Sequence, residues 1–185
     1  LCKKALLAQM GLPATRKRTA LIGIISRLTG QKGFDLIEEA WPELMKRDVR
    51  LVVLGAGEER YVKMFSEAGS LYPDRVAARI GFDESLAHLI EAGCDMFLMP
   101  SRYEPCGLNQ MYSLAYGTVP VVRATGGLAD TVFEEAAGPH KANGFVFHEY
   151  DAASMLAAID RALAVYADSK KWARLVQVGM KSDHS

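Results

Sequence analysis

Five short runs, "ALIGII" (20–25), "RLVVLG" (50–55), "RVAARIG" (75–81), "DMFLMP" (95–100) and "TVPVVR" (118–123), are nearly continuous in apolar residues rather than alternating. A strand that is apolar at successive positions is buried on both faces, and a parallel sheet covered by helices on both sides is the arrangement that buries strands so. The segments between the runs fit that demand. Phe34, Ile37, Trp41 and Leu44 to Met45 keep helical spacing despite Pro42, and Leu86, Leu89 and Ile90 do the same, with Asp83 as N-cap and Gly93 as stop. His88 is expected on the apolar side of that second helix. After a loop, "AAGPHKANG", the stretch "SMLAAIDRALAVYADSKKWARLVQVGM" reads as two helices broken near Asp168 and Ser169. The pattern predicts an α/β fold: a doubly wound, Rossmann-like parallel sheet with a helical tail.

At 185 residues, half of them hydrophobic, the chain has enough apolar material for one core without disulfides or metal. Its 22 basic and 22 acidic residues balance, and the densest cationic stretch, "RKR" at 16–18, reads as a solvated linker. Nucleic acid is therefore not an expected partner. Cys2, Cys94 and Cys106 form no CxxC pair, and no apolar run approaches a membrane span or a signal peptide. These features predict a soluble protein of a reducing compartment, with no membrane partner. The chain opens on Leu and stops at "GMKSDHS" directly after a helix, so a piece of something longer is expected. Residues 1–19 read as a helix and linker from a preceding domain, and 20–185 as the α/β domain.

In such sheets ligands gather at the carboxyl ends of the strands. There "SRLTGQKG" sets Arg27 and Lys32 around Gly30 and Gly33, so that two cations can fold towards one diphosphate; a solvated loop fits the same residues. "GAGEER" lacks the third glycine of a dinucleotide fingerprint, having Arg60 there, and Gly55 with Gly57 allows close approach of a ligand or of the next helix. "RATGGLAD" has Thr125, Gly126 and Gly127 before a helix start, either an ordinary tight turn or a set of N–H groups aimed at an anion. Phe82 is core or a platform for a planar base.

The densest chemistry is "SRYEPCGLNQ" (101–110). Pro105 fixes the backbone, Gly107 removes a side chain, and a helix starting near Leu108 brings unpaired N–H groups beside Glu104. A carboxylate and free amides together can read sugar hydroxyls, though Glu104 also fits a plain helix-terminus charge. Cys106 is either activated by the helix terminus or a small filler, and no nearby histidine could serve it as a base.

"ISRLTGQKGFDLI", "GFDESLAHLIEAGCD" and "MPSRYEPCGLNQMYSLAYGTVPVVRATGGLADTV" resemble the carboxyl-terminal half of bacterial glycogen synthases and plant starch synthases, retaining glucosyltransferases that use ADP-glucose. The resemblance spans nearly the whole chain. It implies one half of a two-Rossmann-domain GT-B fold, with an amino-terminal domain of the same protein completing the cleft and holding most of the α-1,4-glucan acceptor. It further implies that Arg27 and Lys32 neutralise the donor diphosphate and that Glu104 faces the glucosyl unit. Cys106, Gly107 and Leu108 resemble the sugar-contacting turn, and Phe82 the aromatic that stacks on adenine. Gly55, Thr125, Gly126 and Gly127 are carried over as donor-site residues. Where many related transferases have a second Glu, eight positions after the first, this chain has Tyr112, in keeping with the glycogen and starch synthase branch.

The implied reaction moves glucose from ADP-glucose to a non-reducing 4-hydroxyl with retention at C1. No metal or other cofactor is expected, because two cations can take the charge that grows on the β-phosphate. The implied location is the bacterial cytoplasm, or the plastid of a plant. Two alternatives stand beside it: a nucleotide-sugar-binding module without turnover, and a nucleotide-sugar epimerase on the same fold. The second is not expected to keep both "EPCGL" and "TGGL".

Overall fold

The computed structural model describes residues 1–14 and 18–182. Arg16 and Lys17 of the expected solvated linker, and the last three residues of "GMKSDHS", lie outside the described residues; Arg18 packs its guanidinium 4.3 Å from the Tyr166 ring centroid.

All five apolar runs are strands: β1 (Ala20–Ile25), β2 (Val49–Gly55), β3 (Val76–Ile80), β4 (Met96–Met99) and β5 (Val119–Arg123). A sixth, β6 (Phe145–Phe147), was not read from the sequence; it follows directly on the predicted loop and is three residues long. Every pairing is parallel, in the order β3-β2-β1-β4-β5-β6, with Ile22 opposite both Leu51 and Met96. The sequence order reverses between β1 and β4. That switch point leaves a crevice at the carboxyl edge of the sheet.

Alternate residues of the strands feed two cores, since successive side chains point to opposite faces. On one face Ile22, Ile24, Leu51 and Val53 pack with α2 (Phe34–Leu44), α3 (Glu59–Leu71), α7 (Ala152–Ala167) and Trp172 of α8 (Ser169–Met180). Phe34, Tyr61, Phe65 and Trp41 interlock there, with centroids 5.7 to 5.9 Å apart in the three paired contacts. On the other face Leu21, Val52, Leu54 and Phe97 meet α1 (Cys2–Gln9), α4 (Glu84–Gly93) and Leu128 of α6 (Gly126–Thr131).

Two details differ from the sequence reading. The expected tail is not peripheral: Met155, Ile159 and Ala162 of α7 are fully buried against the sheet, so this Ala-rich helix forms a layer of the domain. Residues 2–12 also pack on this domain, with Leu6 and Leu7 buried against α4 and Lys3 paired to Asp95 at 2.6 Å. α4 stops at Gly93, as expected, and a Cβ there would touch Leu6 at 3.0 Å, so the glycine also admits α1. Pro42 lies inside α2, and Asp83 caps α4 by accepting from Leu86 N at 2.9 Å, as expected. Asp168 ends α7 and caps α8, accepting from the N–H groups of Lys170 and Lys171.

Candidate functional site

Between the ends of β1 and β4 lies a cleft of about 400 Å³. Its lining runs from Ile24 to Arg27, takes in Lys32, passes along Leu98 to Ser101, and closes with Glu104 to Asn109. Arg27, Lys32, Glu104, Cys106, Gly107 and Leu108 are thus brought to one place by the fold, although 77 to 81 residues separate Arg27 from the last four.

Lys32 ends a 3₁₀ turn, Gly30–Lys32, in which its N–H donates to Thr29 O at 3.0 Å. Gly33 follows at φ 84°, a left-handed conformation, and a Cβ on it would collide with Pro100 O. Only glycine meets both conditions, and so the turn is pressed against the end of β4. Lys32 Nζ then reaches Glu104 Oε2 at 2.5 Å, with the two side chains 19% and 11% exposed. Ser101 Oγ adds a donor to the same oxygen at 3.2 Å. Arg27 is exposed at the rim, and its guanidinium has no hydrogen bond or ion pair among the described residues.

Both cations line the one cleft, as does Glu104 with the start of α5; what the sequence does not show is that one cation is held by Glu104 while the other has no side-chain partner among the described residues. The site therefore combines an open guanidinium with a nearly buried, mutually satisfied lysine and carboxylate.

Helix α5 (Asn109–Tyr116) begins at the cleft. Asn109 Nδ2 donates to Ile25 O at 3.2 Å, joining the helix start to the end of β1. Gly107 has φ 67°, and the buried Gln110 amide holds its carbonyl from beneath at 2.9 Å. The N–H groups of Gly107 and Leu108 donate to no backbone carbonyl among the described residues, and Cys106 and Leu108 are exposed beside them. This is a wall of free donors next to a carboxylate, suited to a hydroxyl-bearing ligand.

Other predicted residues have different placements. Gly127 N–H is already engaged, donating to Glu104 O at 3.2 Å and Pro105 O at 3.3 Å. Cβ atoms on Gly126 and Gly127 would run into the carbonyls of Glu104 and Cys106. The pair thus lets the 104–106 turn lie on the start of α6, and Thr125 precedes it as N-cap without a side-chain bond. Gly55 does not line the cleft; with Gly57 it lets the chain after β1 approach, since Cβ atoms there would meet Ser26 O and Leu28 O. Phe82 is 90% exposed at the end of edge strand β3, outside the cleft lining. It is not core.

His88 is not on the apolar side of α4. Its side chain is half exposed, with Nδ1 3.3 Å from Oε2 of Glu91, and Glu91 is the member that is buried. Burial pushes the Glu91 carboxyl above its ordinary range, and His88 partly offsets this. Of the three cysteines, only Cys94 is buried, and burial raises its thiol pKa. Among the described residues no group of three or more His, Cys, Asp or Glu side chains is placed to hold a metal, and no helix is long and apolar enough to cross a membrane.

Four residues near the cleft had no signal in the sequence. Tyr150, Asp35, Arg102 and Arg123 come from separate loops and elements and meet behind the Lys32 turn. Nothing local marks such a meeting; it exists only after folding.

Residues 12–177 match the family described as glycosyl transferases group 1. The glycogen synthase of Anaeromyxobacter dehalogenans (strain 2CP-C) is 56% identical over 184 residues, covering 100% of this chain and 38% of that protein. The glycogen synthase of Syntrophotalea carbinolica is 50% identical over 99% of this chain and again 38% of the relative. Among solved structures, the catalytic domain of starch synthase IV from Arabidopsis thaliana, bound to ADP and acarbose, superimposes with a TM-score of 0.91 at 37% identity, over 100% of this chain and 39% of that one. The chain spans less than two fifths of the curated relatives it matches.

Proposed function

Since the chain belongs to the glycosyl transferases group 1 family, we propose that it is the donor-binding half of a GT-B glycogen or starch synthase. In this reading the parent moves glucose from ADP-glucose to the 4-hydroxyl at the non-reducing end of an α-1,4-glucan, with retention at C1. The remainder of the protein supplies the acceptor wall. The carrying observation is the gathering of Arg27, Lys32, Glu104 and the start of α5 around one cleft at the switch point.

Each part has a task in that reaction. As the bond from C1 to the diphosphate breaks, negative charge grows on the β-phosphate, and cations set to meet it bind the transition state better than the ground state. Arg27 is free to do so at the rim. Lys32 reaches the same charge by leaving, or sharing, Glu104. The glucosyl hydroxyls then replace the lysine at the carboxylate and take up the free N–H groups of Gly107 and Leu108, with Cys106 packed beside them. Phe82, exposed on the same edge of the sheet, is the platform for adenine, while Thr125, Gly126 and Gly127 support the sugar-contacting turn and Gly55 the Arg27 loop. The three free cysteines suit a reducing compartment, the cytoplasm or a plastid.

Calorimetry with ADP-glucose, UDP-glucose and ADP tests the donor assignment. Binding of ADP-glucose is expected, and at 100 times its dissociation constant it should add about 2.7 kcal/mol of stability. With a maltooligosaccharide acceptor the 185 residues alone should elongate nothing, because transfer needs a closed cleft and an oriented acceptor hydroxyl. Absence of binding by both nucleotide sugars would reject the donor site, and elongation by these residues alone would reject the shared-cleft reading.

A further inference from the structure

We propose that Tyr150 is a positioning residue for donor binding, acting through the turn that carries Lys32. The inference rests on the reading of Lys32 as a diphosphate ligand. Tyr150 lies between β6 and α7, 118 positions from Lys32, and does not line the cleft.

Its hydroxyl donates to Asp35 Oδ1 at 2.6 Å, and Gly30 O lies 3.2 Å from the same oxygen. Gly30 opens the 3₁₀ turn that Lys32 closes, and Asp35 is in the first turn of α2, so the phenol gives its single proton to one flank of the lysine and lies against the other. The ring is gripped as well. Arg102 stacks on it at 4.1 Å from the centroid and Arg123 at 5.3 Å. Arg102 also pairs with Asp35 Oδ2 at 3.0 Å, and its backbone N–H donates at 2.9 Å to the carbonyl of Gln31, the residue before Lys32. Arg123 Nη1 donates to Arg102 O at 2.7 Å and Nε to His148 O at 3.2 Å.

The cluster therefore fastens the Lys32 turn to the loop carrying Glu104, two residues past Arg102. A lysine side chain has several rotatable bonds, and without a fixed base it samples many positions at an entropic cost on binding. Fixing Gln31, through the Arg102 backbone N–H, and Asp35, through the phenol and the Arg102 guanidinium, fixes that base. The phenol stays protonated throughout the neutral range, since burial and the Asp35 carboxylate raise its pKa, and so it donates at all working pH values.

Tyr150→Phe removes the hydroxyl and keeps the ring under the two guanidinium groups. By calorimetry on the 185-residue chain, ADP should bind about three- to tenfold more weakly, the scale of one charge-assisted hydrogen bond acting at second hand. AMP, which lacks the second phosphate, should bind as it does to the parent. In a Lys32→Ala background the Tyr150→Phe effect should vanish, because a residue acting through Lys32 has nothing left to position. Unchanged ADP affinity in Tyr150→Phe, equal losses for ADP and AMP, or a loss that persists in full without Lys32 each overturn the inference. If Lys32→Ala alone binds ADP like the parent, the diphosphate reading of Lys32 fails first, and that result is distinguishable from the others.

Discussion

Replacing Lys32 by Met tests how the cleft is held together without ligand. The substitution keeps an unbranched chain of similar length and deletes the cation that sits 2.5 Å from Glu104. It leaves a carboxylate whose side chain is 11% exposed, with one neutral donor, the Ser101 hydroxyl at 3.2 Å. Breaking a buried pair costs about 3 to 5 kcal/mol, whereas a surface pair is worth about 0 to 1. Because some solvent still reaches both groups, the lower end applies, about 3 kcal/mol, or about 6 to 12 °C in Tm for a chain of this size. The double variant Lys32→Met/Glu104→Gln has no stranded charge and should recover most of the loss. Urea unfolding of the parent and both variants at pH 7 measures both effects. A single variant within about 0.5 kcal/mol of the parent at pH 7, or a double variant less stable than the single, would refute the claim that the pair behaves as buried.

Three further outcomes follow from the geometry. Saturating ADP-glucose should slow alkylation of Cys106 by a small maleimide while leaving the exposed Cys2 unaffected, as mass spectrometry of the labelled peptides would show; equal labelling of Cys106 with and without donor would remove it from the site. Gly127→Ala drives a Cβ into the Cys106 carbonyl and should cost about 1 to 3 kcal/mol in unfolding experiments and weaken donor binding with it; parent-like stability would show that the 104–106 turn is not held against α6. Glu91→Gln should be more stable than the parent at pH 7: burial raises the native pKa of Glu91, so its stabilising contribution is present below the unfolded value and is lost as pH rises through the native one. The gap should close near pH 4, and equal thermal stability at pH 7 would count against it.

The sheet was legible because strands buried on both faces must be apolar throughout, and β1, β2, β4 and β5 obey that rule at their centres, while the edge strand β3 is apolar at its centre but only half-buried there. β6 was not, since "FVF" is too short to show a period and follows a loop rich in turn residues. The cleft residues were readable as a set, through glycines and charges grouped at strand ends, but their partners were not. Nothing in "QKG" indicates that its lysine meets a carboxylate 72 positions later, and nothing in "ATGG" says that its glycines make room for another backbone instead of a ligand. His88 was misplaced because hydrophobic periodicity assigns a face to a helix, and a residue at the margin of that face can turn outward. Tyr150 lay beyond reach for the plainest reason: its role is a sum of contacts from the Lys32 turn and α2, the loop after β4, and the end of β5.

The unequal cores on the two faces of the sheet give the cleft two different jaws. The Lys32 turn leads straight into Phe34, fully buried among Tyr61 and Phe65, on the face where the aromatic side chains interlock. Beyond Glu104 the opposing turn leans on α6, a six-residue helix that reaches the other core through Leu128, where Phe97 is the one aromatic among the described buried residues. Dense aromatic packing resists local opening, and a short helix resting on glycines yields to it. Hydrogen exchange should therefore be slower along α2 than along α6. If donor binding narrows the crevice, the 104–106 turn is therefore the side expected to move, and the Lys32 turn the side expected to stay.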